Sequence, residues 1–314
     1  MITTVTLNAS IDKAYRMGKK IEYGTVMRVA EVRNTAGGKG LNVARVISIS
    51  GSDVQATGLV GGYNGKYLEF LAEADGIKCV FGHINGETRS CINVLDPVYR
   101  STEFLEPGAD VSQLEFERYL KEFPSIIADS DIVTFSGSLP SGISQDAYKR
   151  LISIVNKAGK LAILDASGEA LRRGIEAFPI LVKPNKTEME DLSKAPIRSF
   201  DDVVNCGEKL YKKGIAYVVV SLGNEGALLV CKDGIFQATP PKVNVENTVG
   251  CGDSMIAAFA IAFEQKMPSI DALRYAVSVG SAAAVSVNTG EYDLEEQNRI
   301  FSQIKIHVIK EGII

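Results

Sequence analysis

Short, continuously apolar runs alternate along this chain with longer stretches in which apolar residues recur at helical spacing. Residues 2–7 are β-branched and apolar enough for a buried first strand that ends at Asn8. Residues 54–60, 77–84, 132–135, 161–164, 179–182 and 217–221 read the same way. Between them, residues 41–49, 65–74, 114–123, 145–156 and 169–177 carry the spacing of helices. Gly51 closes the first of these helices, and Ser112 with Glu115 makes a capping box for the third. Residues 254–263 are almost wholly apolar and predict a buried helix. Strand-then-helix units with unbroken apolar strands imply an α/β fold, a mostly parallel central sheet covered by helices on both faces.

Three stretches break this rhythm. Residues 26–35 (V-M-R-V-A-E-V-R-N-T) alternate with period two, as a strand with one wet face does. Residues 88–95 and 102–105 look like an antiparallel pair turning near Asp96-Pro97. These predict a small separate sheet inserted twice into the large domain. The expected division is 1–10, 37–86 and 109–314 for the α/β domain, with 11–36 and 87–108 for the small sheet. No internal repeat or low-complexity linker interrupts either part.

Composition narrows the function classes. A net charge of −4 supplies no global field for nucleic acid or anionic membrane, so an anionic ligand has to be met by locally placed Lys and Arg. The longest apolar run, 255–263, is far short of the roughly 20 residues that cross a bilayer. The N-terminus reaches a polar residue too early for a signal peptide. Five scattered cysteines without a C-x-x-C pair suit a reduced, cytoplasmic setting, and two distant histidines offer little to zinc or iron.

The chemistry concentrates at strand ends. In residues 246–257 (E-N-T-V-G-C-G-D-S-M-I-A) a glycine turn opens the apolar helix, and such a turn presents unpaired N–H groups beside the positive end of the helix dipole. Phosphate is the usual guest there. Asp253 would repel a phosphate, which makes sense if it takes a proton from a hydroxyl that attacks one. The Gly37-Gly38-Lys39-Gly40-x-Asn42 stretch also follows a strand and opens a helix, with Lys39 as a point charge. It has neither Walker A nor dinucleotide spacing, and a plain connecting turn explains it as well. Asp12 follows the first strand, where ligands of open parallel sheets sit, and suits sugar hydroxyls, although a solvated turn Asp is the commoner case. Arg89 starts a strand of the small sheet and can reach a phosphate; Ser138 lies in a small-residue turn. Asn185 and Glu188 fall one helical turn apart, as hard oxygen donors for a hydrated Mg²⁺ or as an N-cap with its first-turn acid. Ser221, Gly223 and Gly226 close the strongest strand with a turn that either admits a nucleotide or is simply a hairpin. Each motif is weak alone, but nearly all lie at presumed strand ends.

Taken together, N-A-S-I-D at 8–12, A-G-G-K-G-L-N-V-A at 36–44, S-G-S-L-P at 136–140, K-P-N-x-x-E at 183–188, S-L-G-x-x-G at 221–226 and T-V-G-C-G-D at 248–253 resemble the ribokinase-like (PfkB) sugar kinases, in family order over essentially the whole chain. The similarity is greatest to the ketohexose-phosphate branch, the tagatose-6-phosphate kinases and 1-phosphofructokinases. The resemblance implies a ribokinase-like fold whose small sheet is a lid and dimer clasp, hence a homodimer. It implies ATP with Mg²⁺ as cofactors, a ketohexose phosphate as acceptor, and no nucleic-acid or membrane partner. Asp253 matches the family's catalytic base, and Gly250, Cys251 and Gly252 its anion hole. Asp12, Gly37, Gly38, Lys39, Asn42, Arg89 and Ser138 match sugar-phosphate positions, joined by Arg28 of the lid. Lys183, Asn185, Ser221, Gly223 and Gly226 match ATP positions, and Asn185 with Glu188 the Mg²⁺ motif, through water. The expected reaction moves the ATP γ-phosphoryl to tagatose 6-phosphate or, alternatively, to fructose 1-phosphate. A non-catalytic sugar-phosphate sensor on the same scaffold is the reading from another class. Two departures stand out: Ala9 replaces a usual proline, and Cys251 replaces a usual Ala or Ser. A thiol beside a helix N-terminus is expected to have a lowered pKa and to be open to alkylation.

Overall fold

The computed structural model describes residues 1–98 and 100–312. In chain order, β1 (Ile2–Thr6) is followed by β2 (Ser10–Arg16), β3 (Glu31–Gly37), α1 (Lys39–Ile49), β4 (Val54–Gly61) and α2 (Gly62–Ala74). Two short strands, β5 (Lys78–Cys79) and β6 (Gly82–Ile84), precede β7 (Arg89–Asp96) and β8 (Arg100–Leu105). Then come α3 (Gln113–Ile126), β9 (Ile132–Ser136), α4 (Ala147–Lys157), β10 (Leu161–Asp165), α5 (Gly168–Ile175), β11 (Leu181–Val182), α6 (Lys186–Ser193) and α7 (Phe200–Lys212). The remainder is β12 (Tyr217–Ser221), β13 (Ala227–Cys231), β14 (Gly234–Thr239), α8 (Cys251–Glu264), α9 (Ser269–Val285), α10 (Leu294–Phe301) and β15 (Lys305–Glu311).

Eleven of the described strands form one sheet, in the order β15-β14-β13-β12-β11-β10-β9-β1-β4-β5, with β6 also on β4. From β12 through β5 the neighbours are parallel, and β12 to β15 continue as antiparallel hairpins. Parallel strands buried on both faces alternate between two cores. Ile2, Ile132 and Ile163 point into the one covered by α1, α2, α8, α9 and α10. Val5, Val133, Phe135 and Leu164 point into the other, with Phe116, Tyr119, Phe123, Tyr148 and Leu210 of the helices α3, α4 and α7. The sheet runs from β1 to β4 in one direction and from β9 to β12 in the other. The strand order therefore reverses between β1 and β9, and a crevice opens at their carboxyl ends.

The small sheet has the order β3-β2-β7-β8. Its β2 lies antiparallel to β3 and parallel to β7, and β7 turns back antiparallel into β8. One expectation fails here. The alternating stretch 26–35 does not start a strand at Val26, which is 99% exposed, but at Glu31. The pairing partner explains the shift: β2 ends at Arg16, opposite Glu31, so residues 26–30 have no strand to pair with. The expected strand over 77–84 also splits, because Phe81 turns into the core between two short pairings with β4.

Candidate active site

The crevice is lined by the carboxyl ends of β1, β9, β10, β11 and β12 and by the N-termini of α1 and α8, which pack against each other. Helix α8 begins at Gly250, held left-handed at φ 83°, and no side chain caps its first turn. A β-carbon there would lie 2.8 Å from Thr289 Cγ2, so the position demands glycine for space as well as for φ. Asp253 sits on that first turn and is 4% exposed. Its Oδ2 accepts from Asn42 Nδ2 at 2.9 Å. Burial raises the Asp253 carboxyl to about 6; Lys39, the Asn42 amide and Lys183 oppose the rise, while Asp165 adds to it.

Helix α1 opens on Gly38, at φ 101°, again without a side-chain cap. Gly37 is dictated by its neighbour, since a β-carbon there would lie 2.1 Å from the Asp12 carboxylate. Asp12 Oδ1 accepts from the Ser10 hydroxyl at 2.6 Å. Burial raises its carboxyl, against that bond, the charges of Arg45 and Arg89, and the Gly38 backbone. Lys39 Nζ lies 3.6 Å from Asp165 Oδ2, and the Asp165 charge raises the Lys39 ammonium. Lys183, 6% exposed, lies 3.4 Å from Asp165 Oδ1 and directly over Gly252, where a β-carbon would come within 3.0 Å of its Nζ. Asp165, Asp253, Lys39 and Lys183 thus share one corner of the crevice, where their charges cancel and Lys39 alone reaches solvent.

Neither Asp165 nor Arg45 is among the candidate site residues drawn from the sequence, although Asp165 lies in the I-L-D-A-S-G stretch at 163–168. Asp165 ends an apolar strand (L-A-I-L-D), the same signal that draws attention to Asp12. Arg45, 3% exposed, interrupts an otherwise apolar helix three residues after Asn42.

The other predicted residues occupy different surroundings. Ser138 is exposed beyond β9, 3.3 Å from Asn8 Nδ2. Arg89 donates through Nη1 to the Glu106 carbonyl and through Nη2 to the Asn8 carbonyl, both at 3.0 Å, while its buried Nε has no partner among the described residues. Its fork ties β7 to the loop after β1. Arg28 is exposed on the irregular segment before β3, away from any strand. Asn185 caps α6 in a reciprocal box with Glu188, at 2.9 and 3.0 Å. Glu188 Oε1 lies outside that box, and this hard oxygen fits a water-linked Mg²⁺; the described residues contain no cluster of three or more His, Cys, Asp or Glu that could hold a metal. Ser221 lies beside Asn185 in an isolated bridge, and Leu222 to Gly226 form the hairpin turn into β13. Gly226 is fixed by φ 86° and by Ala238, whose carbonyl oxygen would be 1.9 Å from a β-carbon. The Cys251 thiol corrects the expectation of a lowered pKa. Burial, with Asp253 nearby, pushes it up to about 11 and outweighs the helix N-terminus.

An α/β crevice at a strand-order reversal, with two uncapped glycine helix starts and a buried carboxylate between lysines, defines a protein built to handle phosphoryl groups. The chain belongs to the pfkB family of carbohydrate kinases, whose family model matches residues 5–297. Solved structures agree. Phosphofructokinase-2 from Escherichia coli in complex with potassium is 31% identical over 96% of this chain and 98% of that one, with a TM-score of 0.90. The same enzyme with fructose-6-phosphate gives 29% identity, the same coverage and a TM-score of 0.87. A structure from Thermotoga maritima described as a possible 1-phosphofructokinase gives 25% identity, 99% and 100% coverage, and a TM-score of 0.87. No helix among the described residues is long and apolar enough to cross a membrane.

Proposed function

We propose that this protein transfers the γ-phosphoryl group of ATP to a primary hydroxyl of a ketohexose monophosphate, with tagatose 6-phosphate as the acceptor. The observation that carries this reading is Asp253, buried on the uncapped first turn of α8 with one carboxylate oxygen held by Asn42. Its Oδ1 is left for the acceptor hydroxyl. As the acceptor oxygen bonds to the γ-phosphorus, the hydroxyl proton passes to Asp253 and the bond to the β,γ-bridging oxygen breaks, releasing ADP. The backbone amides of Gly250, Cys251 and Gly252 face the charge that develops on the equatorial oxygens, with the Lys183 ammonium directly above them. Asp12 holds sugar hydroxyls; Lys39, Arg89 and Arg28 meet the phosphate the acceptor already carries, with Gly37, Gly38 and Ser138 shaping its seat. Lys183, Asn185, Ser221, Gly223 and Gly226 border the nucleotide. Asn185 and Glu188 would hold Mg²⁺ through water, and when bound it would supply neutralisation of the triphosphate charge.

The small sheet acts as a lid that excludes water, the competing acceptor. Its exposed Val32, Phe104 and Leu105 suit pairing with the same sheet of a second copy. Fructose 1-phosphate is the second acceptor reading, favoured by the Thermotoga maritima neighbour's description. ADP release with tagatose 6-phosphate, fructose 1-phosphate, fructose 6-phosphate and unphosphorylated ketohexoses decides among these. The expected order puts tagatose 6-phosphate first in kcat/KM and the unphosphorylated sugars last by at least about tenfold, as loss of a charge-assisted contact implies. Tight sugar-phosphate binding with no ADP release from any of them would identify a sensor instead.

A further inference from the structure

Asn42 has a problem that its own side chain does not solve. An amide has two nearly isosteric ends, one that donates and one that only accepts. Facing Asp253, the NH₂ end stabilises a carboxylate, whereas the oxygen end sets two acceptors against each other. Arg45 supplies the missing instruction. Its Nη1 donates to Asn42 Oδ1 at 3.3 Å, and a guanidinium has no acceptor atom to offer. The oxygen end of Asn42 is therefore the end that must face Arg45, and the NH₂ end is left for Asp253 at 2.9 Å.

Arg45 is itself pinned. Its Nε donates to Asp75 Oδ2 at 2.8 Å, and its Nη2 donates to the Ala36 carbonyl at 2.6 Å. Ala36 closes on the glycine stretch that opens α1, so one fork spans the edge of that turn and the amide beside Asp253. Gly290 leaves the room, since a β-carbon there would come 3.1 Å from Nη1. A buried arginine with all three nitrogens directed at different acceptors is a rigid reference point.

We propose that Arg45 is a positioning residue of the phosphoryl-transfer site, whose fork dictates which end of the Asn42 amide meets Asp253. The proposal rests on the reading of Asp253 as the proton acceptor. Lys39, Asp165, Lys183 and Cys251 also face that carboxylate, from α1, the ends of β10 and β11, and its own helix. None of them touches the Asn42 amide oxygen among the described hydrogen bonds.

The test is the pH dependence of kcat, at saturating acceptor and ATP, for Arg45→Lys and Arg45→Met. Saturation matters because Arg45 also acts on Asp12, whose titration enters through acceptor binding and hence through kcat/KM. Lysine keeps the charge near Asp75 and Asp12 but lacks the fork, so it isolates the geometric effect. In both variants the acid limb of kcat moves up by about one pH unit, tenfold in proton affinity. At pH 7 kcat falls about twofold and below pH 5 about tenfold, with KM for ATP unchanged. A folded Arg45→Lys enzyme, by circular dichroism and thermal melting, whose acid limb overlays the wild type overturns the positioning role. Turnover that survives Asp253→Asn would instead overturn the reading beneath it.

Discussion

Helices α1 and α8 start in the same way and serve opposite charges. Both open on a glycine with positive φ, 101° at Gly38 and 83° at Gly250, and neither has a side-chain cap. Both leave amides facing the crevice, where the helix dipole favours an anion. The residue that each then presents differs. The first turn of α1 carries Lys39, which adds to the attraction, and the first turn of α8 carries Asp253, which works against it. Burial lifts the Asp253 carboxyl to about 6, close to neutrality, which suits the general base proposed for it. Asn42 bridges the two starts, since it belongs to α1 and donates to Asp253. In the proposed reaction the same backbone device is a binding turn when paired with a cation and a reacting turn when paired with a carboxylate.

The sharpest way to break this comparison is to remove the charge that distinguishes α8. Asp253→Asn keeps the size and the neighbours, and it lowers kcat by about 10³-fold, within the range for loss of a general base. Wild-type kcat falls as pH drops below about 6, where the carboxyl takes up its proton. Stability moves the other way. The folded carboxyl titrates above its ordinary value, so the folded state binds this proton more tightly than the unfolded state. The buried carboxylate therefore costs stability as pH rises through about 6, by at most about 3 kcal/mol. An uncharged amide in its place removes that cost. The variant melts at a higher temperature than the wild type at pH 8, and the gap closes as pH falls toward 4. A lower melting temperature at pH 8 would mean that the lysines need Asp253 more than burial penalises it.

The glycines separate the two turns by a smaller margin. Gly38→Ala meets two obstacles, a left-handed φ and Thr6 Cγ2 at 2.8 Å from the new β-carbon. It lowers stability by about 2 kcal/mol, as strain in a disfavoured region does. Gly252 lies inside the first turn of α8 without positive φ, and its β-carbon meets only the flexible end of Lys183, at 3.0 Å. Gly252→Ala therefore folds with near-normal stability but displaces the ammonium, and kcat falls about tenfold for the loss of one charge-assisted contact. Paired melting curves and kinetics check both. Equal destabilisation by the two substitutions would mean that the turns are constrained alike.

How much of this could be read beforehand depends on what each residue advertises. The strands β1, β9, β10 and β12 are runs of apolar and β-branched residues, so the parallel sheet and its carboxyl edge follow from pattern alone. β2 (S-I-D-K-A-Y-R) and β15 (K-I-H-V-I-K-E) carry too many charges for that signal, because each has a face in solvent. They become strands through their partners. The glycine starts with Lys39 and Asp253 are legible because glycine and charge at a strand-to-helix junction have few other uses. Arg45 is not, since a helical Arg is an ordinary surface residue until neighbours bury it, and Asp165 advertises only a strand-end position that it shares with Asp12. The expectation of a lowered Cys251 pKa fails for the same reason. The sequence shows the helix N-terminus that lowers a thiol pKa, but not the burial that raises it.

Cys251 therefore gives the smallest effect. Its thiol is half-buried near the Asp253 charge. Sγ donates to the Asn247 carbonyl at 3.6 Å, a contact that requires the proton, and burial with Asp253 nearby holds the group at about 11. At pH 7.5 the thiolate fraction is then on the order of one in several thousand, too small for rapid alkylation. Alanine supplies the same backbone amide. Cys251→Ala accordingly keeps kcat within about threefold, since it deletes one weakly bonded polar group of modest size. Iodoacetamide at pH 7.5, followed by peptide mass mapping, leaves Cys251 largely unmodified while activity persists. Rapid labelling of Cys251 at that pH would show that the helix N-terminus prevails over burial after all, and that the α8 turn stabilises a thiolate as readily as the phosphoryl oxygen proposed for it.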